Sequence, residues 1–270
     1  MTTKSRVKSG PRVLFLDIET TPILAHVWGL WDQRVALNQI ERDWSIMSYS
    51  AKWLGDAPSK IIYQDVSGAA SFFDDSALLK SLWKLLDQAD VVVAQNGVKF
   101  DKKKIFARFA ILGMQPPATF KMVDTMLIAK KVFGFTSNKL EYLSDKLNKK
   151  YKKQKHEKFS GFELWRECLA GNKAAWKAMR QYNIYDVLAL EELYHKLLPW
   201  NEGMSYDAYH EDETPTCTCG SQEFIKRGFH YTQVAKYQRY RCVECGAWTR
   251  GRENLLSINK RKALRVSVPR

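Results

Sequence analysis

The sequence predicts an α/β domain, in which a mixed sheet is flanked by helices, followed by a small cysteine-bearing domain. Short apolar runs typical of strands lie near residues 12–17, 45–54, 60–65 and 90–95. Helical spacing of apolar residues is found near residues 75–88, 101–113, 124–132, 138–147, 161–169 and 173–198. Early strands, later helices and one strand-to-helix crossover favour a sheet packed against helices. Four cysteines follow residue 216, beyond the last predicted helix.

The first predicted strand ends in two acidic residues. Its apolar run leads into Asp17-Ile18-Glu19, and Pro22 closes the segment. Side chains two residues apart in a strand point to the same face, so Asp17 and Glu19 project together. Two carboxylates at the end of a buried strand need cations or polar partners. An ordinary polar strand exit is the alternative interpretation.

A third carboxylate, Asp101, begins the helix that follows the fourth predicted strand. The turn between them contains Asn96-Gly97. A helix N-cap is a common and sufficient use of Asp at such a position, so this residue is open to both a capping and a functional interpretation.

The long last helix of the first domain carries Tyr182 and Asp186. Residues four apart lie on one face of a helix. The apolar stripe of this helix consists of Val187, Leu190, Tyr194 and Leu197. We therefore expect Tyr182 and Asp186 at the margin of the buried stripe, whereas a solvated Asp is the alternative.

Together these segments resemble the three exonuclease motifs of the DEDD superfamily, in the subclass with Tyr in the third motif. The matching stretches are Asp17-Ile-Glu19, Asn96-x-x-x-Phe100-Asp101 and Tyr182-x-x-x-Asp186. The nearest resemblance, over about residues 10–200, is to the exonuclease domain of family B DNA polymerases and its stand-alone, often phage-borne relatives. It implies an RNase H-like fold that removes nucleotides from a 3′ end with two Mg²⁺ or Mn²⁺ ions.

The same resemblance assigns roles to individual residues. It implies that Asp17, Glu19, Asp101 and Asp186 bind the metal ions and that Tyr182 positions the attacking water. Carboxylate oxygens are the ligands that hard divalent cations prefer, and such ions activate water near neutral pH. Asn96 and Phe100, which belong to the second motif, are candidate substrate contacts.

The four clustered cysteines predict a second metal site. They form the pairs Cys217-Thr-Cys219 and Cys242-Val-Glu-Cys245, joined by strand-like stretches. Paired thiolates on turns are typical of a zinc ribbon that holds one structural Zn²⁺. Because the first pair is one residue shorter than the usual Cys-x-x-Cys, a tail without metal or with disulfides remains an alternative.

The charge distribution indicates a nucleic-acid partner. The formal net charge is +14, and residues 214–270 hold twelve Lys and Arg against three Asp and Glu. Aromatic residues interleaved with these cations suit either the core of the small domain or stacking on unpaired bases. They are Phe224, Phe229, Tyr231, Tyr237, Tyr240 and Trp248.

A second basic run, Lys146–Lys158, contains seven lysines and one acidic residue. It lies between the second and third motifs, where it would guide a strand past an acidic site. Lys152, Lys153 and Lys155 are therefore candidate substrate contacts, with a solvated loop as the alternative.

The expected domain boundaries follow from these segments. They are a flexible N-terminus at 1–10, a nuclease domain at 11–200, a linker at 201–214, a zinc ribbon at 215–250 and a basic tail at 251–270. The N-terminus has no apolar signal region and no apolar run approaches 18 residues, so we expect no membrane association and a cytoplasmic location in a bacterial or phage-infected cell. Most of Trp28, Trp31, Trp44 and Trp53 are expected in the core or in a hairpin between early strands.

The sequence thus predicts a metal-dependent 3′-to-5′ exonuclease acting on nucleic acid, with DNA favoured over RNA. A structure-specific endonuclease could use the same ligands. A non-catalytic nucleic-acid-binding accessory protein, retaining the fold as a scaffold, is an alternative of another class. Replication or repair proteins are possible partners, and the oligomeric state is open.

Overall fold

The computed structural model describes residues 10–152 and 159–268, which form two compact units. Arg12–Lys196 belong to the first unit, while Gly10, Pro11 and the described residues from Leu197 onwards belong to the second. Within the described ranges, no helix combines the length and apolarity needed to cross a bilayer.

The first unit is built on a mixed five-stranded sheet. Its strands, with a separate β2–β3 ribbon, are β1 (Val13–Thr20), β2 (Leu24–Ala25), β3 (Ile40–Arg42), β4 (Ile46–Trp53), β5 (Ile62–Asp65), β6 (Val91–Ala94) and β7 (Lys121–Asp124). The order across the sheet is β5-β4-β1-β6-β7. Antiparallel pairing joins β5, β4 and β1, whereas β6 and β7 run parallel to β1.

Helices flank this sheet, which confirms the predicted α/β class. They are α1 (Ser76–Leu86), α2 (Asp101–Ile111), α3 (Thr125–Val132), α4 (Leu140–Leu147), α5 (Glu163–Leu169) and α6 (Lys173–Leu197). Side chains alternate along β1, so Leu14 and Leu16 lie on one face and Phe15 on the other. Phe15 packs edge-on against Tyr194 of α6, with 5.3 Å between ring centroids. Helix α6 therefore covers the face of β1 to which Asp17 and Glu19 also belong.

Two buried ion pairs tie helices of this unit to each other and to the sheet. Lys52 Nζ of β4 lies 2.7 Å from Glu191 Oε1 of α6. Asp75, at the start of α1, pairs with Arg108 of α2 at 2.7 Å and also accepts the backbone N–H of Ile46. Breaking one partner of a buried pair is costly, so these contacts hold α1, α2 and α6 in place around the sheet.

The structure agrees with one expectation about the first unit and adds a strand that was not expected. Trp28 and Trp31 are 97% and 84% exposed, so neither belongs to the core. They lie in the connection between the antiparallel strands β2 and β3, which is the hairpin between early strands that was one of their two expected places. The edge strand β7 was not predicted, because four residues with an exposed Lys121 give no clear alternation.

The second unit contains a three-stranded antiparallel sheet in the order β10-β9-β8. Its elements are β8 (Phe224–Tyr231), β9 (Lys236–Cys242), β10 (Trp248–Arg250) and the short helix α7 (Ile258–Ala263). The expected linker at 201–214 contains Tyr206, which is buried. The expected tail begins along the sheet, since Gly251 and Leu255 donate backbone hydrogen bonds to Gln238 and Lys236 of β9.

Candidate metal centres

Three of the four predicted carboxylates meet at the end of β1. Oxygen atoms of Asp17, Glu19 and Asp186 all lie within 4.8 Å of one another. Strand β1 supplies the first two from one face, and α6 supplies the buried Asp186. Ligands of Mg²⁺ at about 2.1 Å stand roughly 3 to 4.2 Å apart in an octahedron, so the group fits such an ion.

A buried amide orients the first of these carboxylates. Asn183 Nδ2 donates to Asp17 Oδ2 at 2.5 Å, while Asn183 Oδ1 accepts from Ser48 Oγ at 3.3 Å. Asn183 is fully buried on α6, and Ser48 lies opposite Glu19 in the β1–β4 register. Sequence reasoning missed this residue. Its position in the sequence could have indicated a role. Asn183 lies four residues before Val187, on the apolar stripe of α6, and a polar side chain buried there must be hydrogen-bonded.

Asp101 is buried beside β1 but does not belong to the three-residue group. Burial raises the pKa of its carboxyl group to about 7, and the nearby charge of Asp124 adds to the rise. Two hydrogen bonds lower this pKa, one from the backbone N–H of Asp101 itself and one from that of Ile18. Ile18 separates Asp17 from Glu19 in the chain, which places the Asp101 carboxyl group next to the strand that carries both.

The turn before α2 is fixed by Asp124. This side chain accepts hydrogen bonds from Asn96 N at 3.0 Å and Val98 N at 3.1 Å. It also accepts from Met126 N at 3.0 Å, so Asp124 is the N-cap of α3. Asn96 has φ 64°, in the left-handed region. One carboxylate thus anchors both the turn that leads to Asp101 and the start of α3.

Of the candidate substrate contacts in the second motif, Asn96 lies in this turn and Phe100 precedes α2. Both are half-buried, and Phe100 packs against the core of the first unit. Gly97 between them has no room for a side chain, since an added Cβ would collide with Met122 and Ala94. The tight turn explains the glycine, while substrate contact by Asn96 or Phe100 stays a prediction.

Tyr182 lies beside the carboxylate group. Burial raises the pKa of its phenol above the ordinary value, and the charges of Asp186, Glu19 and Asp17 raise it further, as does its hydrogen bond with Asp186. Its ring also meets Trp165 edge-on, with 6.2 Å between centroids. The phenol is therefore neutral near pH 7 and can act as a hydrogen-bond donor rather than as a base.

The start of the basic run is attached to α6. Glu192 accepts backbone hydrogen bonds from Lys149 at 2.6 Å, Lys150 at 3.1 Å and Tyr151 at 2.9 Å. The same helix carries Tyr182 and Asp186 one to three turns earlier. Lys152 is exposed, with its Nζ 3.7 Å from Asp145 Oδ1. Lys153 and Lys155 fall outside the described residues.

The four cysteines of the second unit also converge. Their Sγ atoms all lie within 4.8 Å of one another, with Cys217–Cys245 at 3.6 Å and Cys219–Cys242 at 3.7 Å. Tetrahedral Zn²⁺ with bonds of about 2.3 Å requires sulfur atoms about 3.8 Å apart, so the group fits zinc.

All four of these cysteines are free thiols, which argues against the disulfide alternative. Burial raises the pKa of Cys219 to about 11 and also raises the pKa of Cys245. Although burial acts in the same direction on Cys242, backbone hydrogen bonds from Cys245 and Glu244 lower its pKa to about 7, so Cys242 loses its proton more readily than these two.

The shortened first pair still presents both sulfur atoms to one point. The chain turns back through a hydrogen bond from Gly220 N to Cys217 O at 2.8 Å, and Cys217 N donates to Ser221 O. Gly220 has φ 92° and Gly246, after the second pair, has φ 80°. These left-handed positions favour glycine and allow the tight turns that a four-cysteine site needs.

Comparisons with known proteins agree with this fold. A search of curated sequences finds no match. The structure of the family B DNA polymerase from the hyperthermophilic archaeon Pyrobaculum calidifontis is similar to this chain, with a TM-score of 0.51 and 16% sequence identity. The match covers 70% of this chain and 25% of the polymerase, so the chain spans about a quarter of that polymerase's length. At this identity the similarity shows a shared fold.

A family model described as the RNase_H superfamily matches residues 56–198. The matched segment includes Asp101, Tyr182 and Asp186, while Asp17 and Glu19 precede it. The match spans more than half of the 270 residues. The predicted RNase H-like fold is confirmed, and the chain belongs to the RNase_H superfamily.

Proposed function

We propose that this protein is a metal-dependent 3′-to-5′ exonuclease of nucleic acid, with DNA as its main substrate. Membership of the RNase_H superfamily supports nuclease activity in general. The observation that carries the finer proposal is the convergence of Asp17, Glu19 and Asp186, with Tyr182 beside them. Strand β1 and helix α6 are far apart in sequence. Acidic residues that merely face solvent would not be brought together from both elements.

Asp17, Glu19, Asp101 and Asp186 would hold two Mg²⁺ or Mn²⁺ ions. When bound, such ions supply an activated water and stabilise the charge on the phosphate oxygens. The chain itself contributes orientation. Asn183 holds Asp17, and the Asp124-anchored turn fixes the start of the helix that carries Asp101. Tyr182, as a neutral phenol, would form a hydrogen bond with the attacking water and so position it.

The direction of cleavage and the preference for DNA rest on the motif resemblance. The order of the three acidic motifs and the tyrosine in the third are typical of the 3′-to-5′ exonuclease class. Exposed Lys149, Lys150 and Lys152 lie next to the helix that carries Asp186, and they would attract phosphates towards an acidic site. The cysteine group would hold one structural Zn²⁺ in the second unit.

Degradation of defined oligonucleotides tests the proposal. Single-stranded and duplex DNA, and RNA of the same sequence, are labelled at the 5′ end and incubated with the protein and Mg²⁺ or Mn²⁺. We expect a ladder that shortens from the 3′ end, with DNA cut faster than RNA. Asp17→Asn should slow this reaction by at least about 10³-fold, which corresponds to about 4 kcal/mol of transition-state stabilisation.

The control is Asp56→Asn, which removes a carboxylate of the first unit whose ion-pair partner among the described residues is Lys60, at 3.8 Å. It should leave the rate unchanged. A single internal cut would instead establish an endonuclease, and binding without products would establish an accessory protein. Either result contradicts the proposed exonuclease.

A further inference from the structure

One face of the sheet in the second unit collects arginines and aromatic rings. The register pairs Arg241 with Trp248 and Arg239 with Arg250 across β9 and β10. Paired residues share a face, and so do residues two apart in one strand. Arg239, Arg241, Arg250 and Trp248 therefore lie on one side together with Tyr237. We call these five residues the arginine face.

The arginine face is open to solvent. Its three arginines are exposed, and Trp248 is 51% exposed. The Arg239 guanidinium lies 4.5 Å from the Trp248 ring centroid, and that of Arg250 lies 4.0 Å from the Tyr237 ring. Strands β8, β9 and β10 contain no Asp or Glu. Within the part of the chain that the structure describes, none of these three arginines forms an ion pair.

The opposite face differs in composition and contacts. In the register between β8 and β9, Lys226 pairs with Tyr240 and Tyr231 pairs with Lys236. These four side chains lie on the face opposite the arginine face. The same side carries Phe224 and Cys242, which belong to the small core around the cysteines. Phe224 serves the core, whereas Trp248 and Tyr237 stand among cations on the arginine face.

This combination fits a particular partner. Guanidinium groups match the geometry of phosphate, and exposed aromatic rings stack on unpaired bases. Three unpaired arginines also offer strong charge complementarity to a polyanion. We propose that the arginine face binds single-stranded nucleic acid, with phosphates contacted by Arg239, Arg241 and Arg250 and a base stacked on Trp248. This surface lies outside the carboxylate group, so the inference does not depend on the proposed hydrolysis.

Fluorescence anisotropy on the full-length, zinc-loaded protein tests the inference. The probe is a 5′-fluorescein oligothymidylate of about 20 nucleotides, long enough for one small binding fold. All proteins carry Asp17→Asn so that the probe stays intact. We expect Arg239→Gln, Arg241→Gln and Arg250→Gln together to weaken binding by about 30-fold or more. The slope of log affinity against log salt should fall by about 2, since each phosphate contact on a single strand contributes about 0.7.

A matched triple variant removes the same charge elsewhere in the second unit. Lys226→Gln, Lys236→Gln and Lys260→Gln should weaken binding less than fivefold. Equal weakening by both triples would overturn the inference, because the effect would then be one of net charge. The inference would also be overturned if the variant lacking Arg239, Arg241 and Arg250 bound the probe within twofold of its parent. The arginine face would then serve a partner of another kind.

Trp248 supplies a test that leaves the charge unchanged. Trp248→Ala should weaken binding by about tenfold, whereas Trp248→Phe, which keeps an aromatic face, should restore most of the affinity. Zinc content and melting temperature establish that each variant is folded. If alanine and phenylalanine at this position bind equally well, stacking on Trp248 is excluded and the proposed mode of binding fails.

Discussion

The two ligand groups of this protein are positioned in opposite ways. The carboxylates project from β1 and α6 of a unit whose core includes fully buried Leu14 and Leu79 and many other apolar side chains. Around the cysteines of the second unit, the buried cluster consists of Cys217, Cys242 and Ala247. The fold of the first unit therefore holds its ligands, whereas in the ribbon sheet of the second unit the ligands themselves make up most of the local buried cluster.

This difference has an energetic consequence. Two carboxylates about 4 Å apart repel by roughly 4 kcal/mol at an effective dielectric of 20, so a metal-free carboxylate group needs an external scaffold. The first unit provides it through the Asn183 contact and the buried Lys52–Glu191 pair. The second unit has too little apolar burial to stabilise itself, and zinc binding would supply most of its folding free energy.

The largest expected effect on stability comes from removing one ligand of the four-cysteine group. Cys242→Ser should unfold the second unit and leave the first unit folded, because structural zinc contributes about 10–16 kcal/mol in comparable small sites. Limited proteolysis should then cut after residue 200 and spare Arg12–Lys196.

The control is Cys168→Ser, a buried cysteine in α5 of the first unit. It should leave the protease resistance and zinc content of the second unit unchanged. If Cys242→Ser lost its zinc and the second unit still resisted proteolysis, the proposed dependence of that unit on its ligands would be wrong.

A smaller effect is expected from loosening one carboxylate while keeping it in place. Asn183→Ala removes the hydrogen bond to Asp17, and loss of such a contact to a metal ligand typically costs 10–100-fold in metal affinity or activity. We expect the Mn²⁺ concentration for half-maximal binding, measured by calorimetry, to rise within that range.

Asn148→Ala serves as the matched control, since Asn148 is also buried and donates to Ala189 O of α6 at 2.9 Å. It should lower the melting temperature without changing Mn²⁺ affinity. Similar loss of affinity in both variants would mean that Asn183 acts through general stability rather than through Asp17.

A third effect concerns the pH dependence of the metal-free first unit. The folded-state pKa of Asp101, about 7, exceeds its ordinary value near 3.8, so the folded chain binds more protons than the unfolded chain between these values. Stability without added Mg²⁺ or Mn²⁺ should therefore fall as pH rises from 4 to 7. Asp101→Asn should raise the melting temperature at pH 8 by several degrees and leave it nearly unchanged at pH 4. An equal shift at both pH values would show that this ionisation does not destabilise the fold.

Helix positions followed from the sequence, since apolar periodicity is a local property, and the resemblance of the three motifs predicted that Asp17, Glu19 and Asp186 converge. The role of Asn183 did not follow, because its partner Asp17 is 166 positions away and depends on how α6 packs on β1. The choice between core and hairpin for Trp28 and Trp31 did not follow from the sequence, because apolar composition predicts burial only on average. The arginine face required the register between β9 and β10, which alternation within one strand does not specify.

Hydrogen exchange of the wild-type protein, with and without all bound metal, tests the contrast between the two units most directly. We expect β1 and α6 to keep nearly the same amide protection after metal removal, whereas β8, β9 and β10 should exchange as an unfolded chain does. We claim that the fold positions the carboxylate group, whereas zinc holds the second unit together. Equal loss of protection in β1 and α6 would contradict that claim, and so would full protection of β8, β9 and β10 without zinc.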